Sequence, residues 1–220
     1  MENKKAIIFI DGNNWYHNLK KIRIKPSHID LMKLSQFICK HFNFDLKSVR
    51  YYNSVPDISD GEVIYYKHME YLSSLEKQGI KNFVRKLQKS STEEIKNEKE
   101  LLLQSLDICP SCKPLVVQNC FDCIGNVKKR EKGIDVKIAS DMIRKCLIEK
   151  ECSVCVLISG DADFIPAMQI IKDSKNEVVT SSIIPGYSRE LRKGDFRYFI
   201  LKRKDLNENC LKDYSELKSK

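Results

Sequence analysis

The sequence has no apolar run long enough to span a bilayer. That takes roughly 18 or more consecutive apolar residues, and nothing in this chain approaches it. No secretory leader is expected either. Met1-Glu2-Asn3-Lys4-Lys5 leads straight into the apolar run 6–10, which is too short for a leader core, and Asp11 follows where a small-residue cleavage site would stand. The expectation is a cytoplasmic protein with no membrane partner. Internal repeats and low-complexity tracts are also missing. What remains is 220 residues, 42% of them hydrophobic. That is too apolar for a disordered chain, and long enough for one large α/β domain or one domain plus a small appendage.

Negative charge is in deficit. Lys and Arg number 39 against 30 Asp and Glu, a formal charge of +9. Such a balance favours a polyanionic partner, nucleic acid first. Cysteine is abundant at nine residues, and without a leader it points to thiols and metal rather than disulfides. Cys109-Pro-Ser-Cys112 and Cys120-Phe-Asp-Cys123, seven residues apart, form the one compact cluster. Two short knuckles of this kind bring four thiolates to a tetrahedral Zn²⁺, and four protein ligands leave no open position, so the expected zinc is structural. Cys152 and Cys155 share the spacing but begin an apolar strand and read as core.

Apolar patterning predicts strands over 6–10, 48–53, 80–84, 153–159 and 177–181, alternating with helices over 31–42, 63–75, 134–149 and 164–173. Such alternation argues for β-α-β units, hence an α/β fold on a parallel sheet. Between 86 and 130 the pattern breaks into charged residues and the cysteine cluster. The predicted organisation is a domain built from 1–85 and 131–203, an inserted zinc module over 86–130, and a charged C-terminal tail over 204–220.

Carboxylates fall where such a sheet binds its ligands, beyond the carboxyl ends of the strands. Asp11 follows the first strand, and Asp161 and Asp163 follow the strand over 153–159. Asp135 lies near the middle of the apolar stripe made by Ile134, Ile138, Met142 and Cys146, with Asp141 at its edge. A carboxylate aimed inward is costly unless it is paired, hydrogen-bonded or metal-bound. Taken singly, each has a plain reading as a turn residue or helix cap. Together they favour a shared divalent cation, Mg²⁺ or Mn²⁺ for an oxygen-only set.

Asp11-Gly12-Asn13-Asn14, Lys132-Gly133-Ile134-Asp135 with Asp141 beyond it, and Ser159-Gly160-Asp161-Ala162-Asp163-Phe164 resemble the three motifs of the NYN domain. That is the LabA-like branch of the PIN-like ribonucleases. Ser188 to Arg192 and Asp195-Phe196 resemble its C-terminal stretch, so the likeness runs from about 5 to about 201 apart from the insertion. The resemblance implies a Rossmann-like (PIN-like) sheet with helices on both faces, a Mg²⁺ or Mn²⁺ site, and hydrolysis of phosphodiester bonds in RNA. Carried over, Asp11, Asp135, Asp161 and Asp163 match the acidic metal-site positions, and Asn14 the polar residue that closes the first motif. By their chemistry, Asp11 and Asp161 would be direct ligands of the ion, Asp135 and Asp163 would hold its waters or orient the nucleophile, and Asn14 would donate to a phosphate oxygen. Lys132, Arg189, Arg192 and Lys193 flank the acidic motifs and suit the phosphates of single-stranded RNA. Trp15, Tyr16 and His17 follow the first motif, where stacking on bases competes with ordinary helix packing, the favoured reading for Trp15.

The alternative is an RNA-binding or regulatory module with weak or no nuclease activity. A phosphatase of the haloacid-dehalogenase type also places Asp after its first strand, but it needs a second Asp two residues on, where Asn13 stands. RNA against DNA, endonuclease against exonuclease, and monomer against homodimer stay open at this level.

Overall fold

Residues 6–10 have no exposed face. Ala6 to Ile10 are all fully buried, as a strand covered on both sides requires. In the computed structural model, which describes residues 3–58, 61–86, 92–120, 133–184 and 186–213 (backbone only for 92–96, 98, 119 and 120), this run is the heart of strand β1 (Lys4–Asp11). It feeds α1 (Gly12–Lys21) and, after a short turn, α2 (Leu31–Phe42). Next come β2 (Phe44–Val55), α3 (Glu62–Lys77) and β3 (Lys81–Lys86). Helices α4 (Thr92–Ser105) and α5 (Lys113–Cys120) follow, then α6 (Ile134–Ile143). The remainder is β4 (Val154–Ile158), α7 (Ile165–Asp173), β5 (Glu177–Ile183), α8 (Arg189–Lys193), β6 (Arg197–Leu201) and α9 (Arg203–Asn209). Among the described residues no helix is long and apolar enough to cross a membrane.

The strands form one sheet in the order β3-β2-β1-β4-β5-β6. The β1–β2, β1–β4, β4–β5 and β5–β6 pairings are all parallel. The chain winds outward from β1 in one direction and from β4 in the other, so the order reverses between these two central strands. A cleft forms beyond their carboxyl ends, at the point where a doubly wound sheet takes its ligand.

Alternation along β1 sorts the core into two layers. Ala6, Ile8 and Ile10 face Trp15 and Leu19 of α1 and Leu31, Leu34 and Ile38 of α2. Ile7 and Phe9 face Ile134, Ile138 and Met142 of α6 and Met168 and Ile171 of α7. Helix α2 is well started: Asp30 accepts from the Met32 and Lys33 amides, both at 2.9 Å. Such a cap contributes about 0.5–2 kcal/mol. Cys152 and Cys155 lie in the second layer.

Cα packing separates residues 1–85 with 133–220 from a second unit, Lys86–Lys132. That second unit contains α4 and α5, joined through Cys109 to Cys112.

Three departures from the sequence expectations have physical reasons. The helix expected over 134–149 is α-helical to Ile143 and then widens into one π turn, Arg144–Ile148. No strand was expected over 197–201, yet β6 closes the sheet edge; Arg197 and Tyr198 are exposed there, so its apolar signal is weak. The charged tail expected over 204–220 is packed as far as the described residues extend, to 213. Leu206 and Cys210 are fully buried in the first core layer, and the Asp30 amide donates to the Cys210 carbonyl at 2.8 Å.

Asp141, placed by spacing at the edge of the α6 stripe, is buried and ties α6 to β2. It accepts from Lys137 Nζ at 2.7 Å and the Tyr52 hydroxyl at 2.9 Å, with Arg50 Nη2 at 3.5 Å. Arg50 Nε also donates to the Tyr52 oxygen at 3.0 Å, and its guanidinium lies 4.4 Å from the Phe83 ring centre. Burial alone would raise the Asp141 carboxyl, but the hydrogen bonds from Lys137 and Tyr52 and the charges of Lys137 and Arg50 hold it below its ordinary value.

Two stability measurements follow from this packing. Leu206→Ala should cost roughly 2–5 kcal/mol in urea unfolding, as for a packed core leucine, and not the ~0.5 kcal/mol of a surface change. Asp141→Asn should cost about 3–5 kcal/mol at pH 7, because it leaves Arg50 buried beside a neutral partner. A depressed carboxyl stabilises above its unfolded-state pKa, and the benefit is lost as pH falls through the folded value. The gap between Asp141→Asn and the parent should therefore close in acid, and a pH-independent gap would contradict the ion-pair account.

Candidate active site at the carboxyl edge of the sheet

The cleft is assembled by side chains reaching from one strand end to the other. Asp11, the last residue of β1, is 4% exposed. Its Oδ1 accepts from the Asn14 amide at 3.0 Å, capping α1, and its Oδ2 accepts from the Ser159 hydroxyl at 2.9 Å. Ser159 follows β4, and its oxygen in turn accepts from the Asp161 amide at 3.2 Å. Asp161 accepts from the Asp163 amide at 3.0 Å and so starts the helical turn Ala162–Phe164. A second link runs parallel to the first: the Gly160 amide donates to Asn14 Oδ1 at 3.0 Å, and Asn18 Nδ2 donates to the same oxygen at 2.7 Å. With its carbonyl oxygen engaged twice, Asn14 has no partner for its NH₂ group among the described residues and can offer it to a ligand.

Gly160 is needed here for space. A methyl group on it would lie 1.6 Å from the Gly186 carbonyl oxygen. The two backbones touch, and the Ser188 amide donates to the Gly160 carbonyl at 2.9 Å. Ser188 then caps α8 through the Glu190 amide at 3.1 Å. Arg189, Arg192 and Lys193 therefore sit on a short helix that begins against the β4 turn, and all three are exposed. Arg192 also donates to the Tyr187 carbonyl at 3.2 Å and lies 5.7 Å from that residue's ring centre.

Asp135 enters from the first turn of α6. The spacing placed it on the buried stripe, but it is exposed, at the open end of the helix beside acidic residues rather than under apolar ones. Partial burial raises its carboxyl above the ordinary value, and the charges of Asp161 and Asp163 raise it further. The structure thus brings Asp135, Asp161 and Asp163 within electrostatic reach of one another, and links Asp161 to Asp11 through Ser159. It does not gather them at a point: among the described residues no three His, Cys, Asp or Glu side chains are placed to hold a metal ion. Asp141 is committed to its buried network and takes no part in the cleft.

Trp15 is 2% exposed and belongs to the core, while Tyr16 and His17 are on the surface. Lys132 and Cys123 lie outside the described residues, as does the Cys120 side chain. Cys109 and Cys112 are exposed free thiols in the second unit. The Cys112 and Lys113 amides both donate to the Cys109 carbonyl, at 3.0 and 3.1 Å, making a tight knuckle. Hydrogen bonds from Cys112 and Ser111 pull the Cys109 thiol down to about 7.

Motif reading missed three contributors. Ser159 joins the two acidic turns, and its signal was its place directly after an apolar strand. Gly186 makes the backbone contact with Gly160, which no local pattern announces. Arg85, at the end of β3, brings its guanidinium against Gly133 at the start of α6; a methyl group on that glycine would stand 2.5 Å from Arg85 Nη1.

The NYN domain model matches residues 5–201 of the chain. No curated protein matches it. The fold is similar to the crystal structure of a protein of unknown function from Vibrio parahaemolyticus, with a TM-score of 0.58 over 96% of this chain and 100% of the other, at 15% sequence identity. That is a likeness of fold alone. A short-chain dehydrogenase from Oenococcus oeni aligns over 88% of this chain and 85% of its own at 14% identity, but its TM-score of 0.25 carries no argument. Matched across both acidic turns and the α6 aspartate, the chain belongs to the NYN domain family, whose members are generally nucleases.

Proposed function

We propose that the protein is a divalent-metal-dependent ribonuclease of the LabA-like branch, hydrolysing phosphodiester bonds of single-stranded RNA. The observation that carries this reading is the acidic cleft at the strand-order reversal, with Asp135, Asp161 and Asp163 repelling one another and Asp161 tied to Asp11 through Ser159. Clustered like charges are unfavourable by themselves and suit a cation. The donors are all oxygen, which fits Mg²⁺ or Mn²⁺.

Asp11 and Asp161 would hold the ion, which when bound polarises the phosphodiester and makes water a better nucleophile. Asp135 and Asp163 flank the approach and orient the attacking water. The Asn14 NH₂ donates to a non-bridging phosphate oxygen. Arg189, Arg192, Lys193 and Lys132 neutralise neighbouring phosphates, offsetting their repulsion by the carboxylates. In the second unit, Cys109 and Cys112 supply one knuckle of a structural Zn²⁺ site, with Cys120 and Cys123 as the other. The tight turn at Cys109 supports this.

One observation favours a second reading, a binding or regulatory module with weak or no turnover: no three described donors stand close enough for a metal ion.

Cleavage of a mixed single-stranded RNA with Mn²⁺, set against the same reaction with chelator, tests the first reading against the second. Asp11→Asn and Asp161→Asn should each lose a hundredfold or more of the cleavage rate, since even the outer partners of metal ligands typically carry about 10–100-fold. RNA binding should persist or tighten as repulsion falls. Metal-independent cleavage, or undiminished cleavage by both variants, would remove the proposed site.

Elemental analysis tests the zinc assignment. The purified protein should carry about one Zn²⁺ per chain. Cys112→Ser should release it and render the second unit protease-sensitive, because metal binding supplies on the order of 10 kcal/mol to small zinc modules. Cys155→Ser should leave the zinc content unchanged. Absence of zinc, or its loss with Cys155 instead of Cys112, would refute the site.

A further inference from the structure

Beside the acidic cleft, on the α1 and α3 side of the sheet, a pocket of about 320 Å³ is walled mainly by aromatic rings: Trp15 and Tyr16 of α1, Tyr51 of β2 and Tyr71 of α3. That volume is near the lower limit of about 300–1,000 Å³ for sites that take small organic ligands. Asn53, His68 and Ser27 add polar groups to the lining, and Lys67 stands at the same wall. The nucleolytic motif uses none of these groups.

The pocket's place in the fold ties it to the cleft. In the β1–β2 register Tyr51 lies opposite Ile10 and Tyr52 opposite Asp11. Gly12, next after Asp11, is pressed so close to Tyr51 that a methyl group on it would lie 2.5 Å from the ring. Trp15 directly follows Asn14 on α1. A strand whose phosphate lies at Asp11 and Asn14 therefore has this pocket one residue's reach away.

Asn53 and His68 are held in one arrangement. Asn53 Oδ1 accepts from the Ser54 amide at 2.9 Å, which orients the amide so that Nδ2 donates to the Tyr51 hydroxyl at 3.3 Å and to His68 Nε2 at 3.2 Å. His68 Nε2 is thereby the acceptor, and the ring's proton belongs on Nδ1. Burial lowers the imidazole below its usual value, in keeping with a neutral ring. An aromatic-walled site with a fixed donor suits a planar heterocycle with acceptors on its edge. The chain's excess of positive charge, with Lys67 at the wall and Lys20 Nζ 4.7 Å from the Tyr16 ring centre, suits one that carries phosphate.

We propose that this pocket receives an unpaired nucleobase of the RNA strand adjoining the phosphate at Asp11, stacked on the aromatic wall and read at its edge by His68. The proposal rests on the reading of the cleft as an RNA site, and it makes the pocket a source of sequence preference.

Trp15 is the chain's one tryptophan, so its emission reports directly on the pocket. The test titrates the full-length protein, in chelator to prevent cleavage, with AMP, GMP, CMP, UMP and ribose 5-phosphate, and then with a single-stranded RNA oligonucleotide. Saturable quenching by at least one nucleotide, with none from ribose 5-phosphate, is expected. Tyr16→Ala and His68→Ala, both outside the fully buried core, should each weaken oligonucleotide binding by roughly 5- to 150-fold, the equivalent of about 1–3 kcal/mol for a stacked base, with unchanged thermal unfolding. Quenching by ribose 5-phosphate equal to that by nucleotides would make this a phosphate site and overturn the proposal. So would an absence of quenching together with parent-like RNA affinity in both variants, even if the protein cleaves RNA. Nucleotide quenching in a protein that shows no metal-dependent cleavage would instead retain the pocket and reject the nuclease.

Discussion

One hydroxyl holds the cleft together. Ser159 donates to Asp11 and accepts from the Asp161 amide, so a single oxygen connects the ends of the two central strands. Parallel neighbours splay where their ladder stops, and nothing in the sheet itself holds the two turns at a set distance. The Ser159 bridge and the parallel link from Gly160 to Asn14 do so. Several of the groups described above take their position from that junction: Asp161 and Asp163 by chain continuity, Asn14 through the cap at Asp11, and α8 through Ser188 bonding to the Gly160 carbonyl.

The junction stands on two buried apolar layers. β1 sends alternate residues to opposite cores, so neither Asp11 nor Ser159 can shift without disturbing close-packed side chains. On one face the Asp141 network adds a polar brace between α6 and β2. It helps set where the first turn of α6, and with it Asp135, meets the strand ends. The two aspartates of α6 thus divide the work: Asp141 is neutralised by Arg50, Lys137 and Tyr52 inside the protein, whereas Asp135 shares the mouth with Asp161 and Asp163.

Much of this was legible in the residues. Continuous apolar runs marked β1 and β4, because strands buried on both faces leave no polar positions. The aspartates after those runs were placed at the sheet edge by topology alone. The C-terminal third was harder. β6 is an edge strand whose Arg197 and Tyr198 meet solvent, so no strand was expected there, and α9, which buries little beyond Leu206, read as part of the charged tail. Spacing set Asp141 at the edge of the α6 stripe, but its pairing with Arg50, 91 residues away, leaves no local trace. The same limit hid Gly186 and the pocket around Trp15, whose walls come from three separate elements. Lys132, Cys123 and the Cys120 side chain lie outside the described residues, so their proposed roles rest on motif and spacing alone.

The Ser159–Asp11 bond closes over 148 residues of chain. Closing so long a loop is entropically unfavourable until the intervening structure has formed, and contacts of high sequence separation form slowly. The cleft is therefore a late product of folding. During synthesis, β1 with its aspartate emerges long before its partner exists, and α8 with its arginines emerges later still. A nascent or truncated chain can carry the first acidic motif in full and still have no cleft. Any activity of the site therefore waits until the sheet has closed around β4.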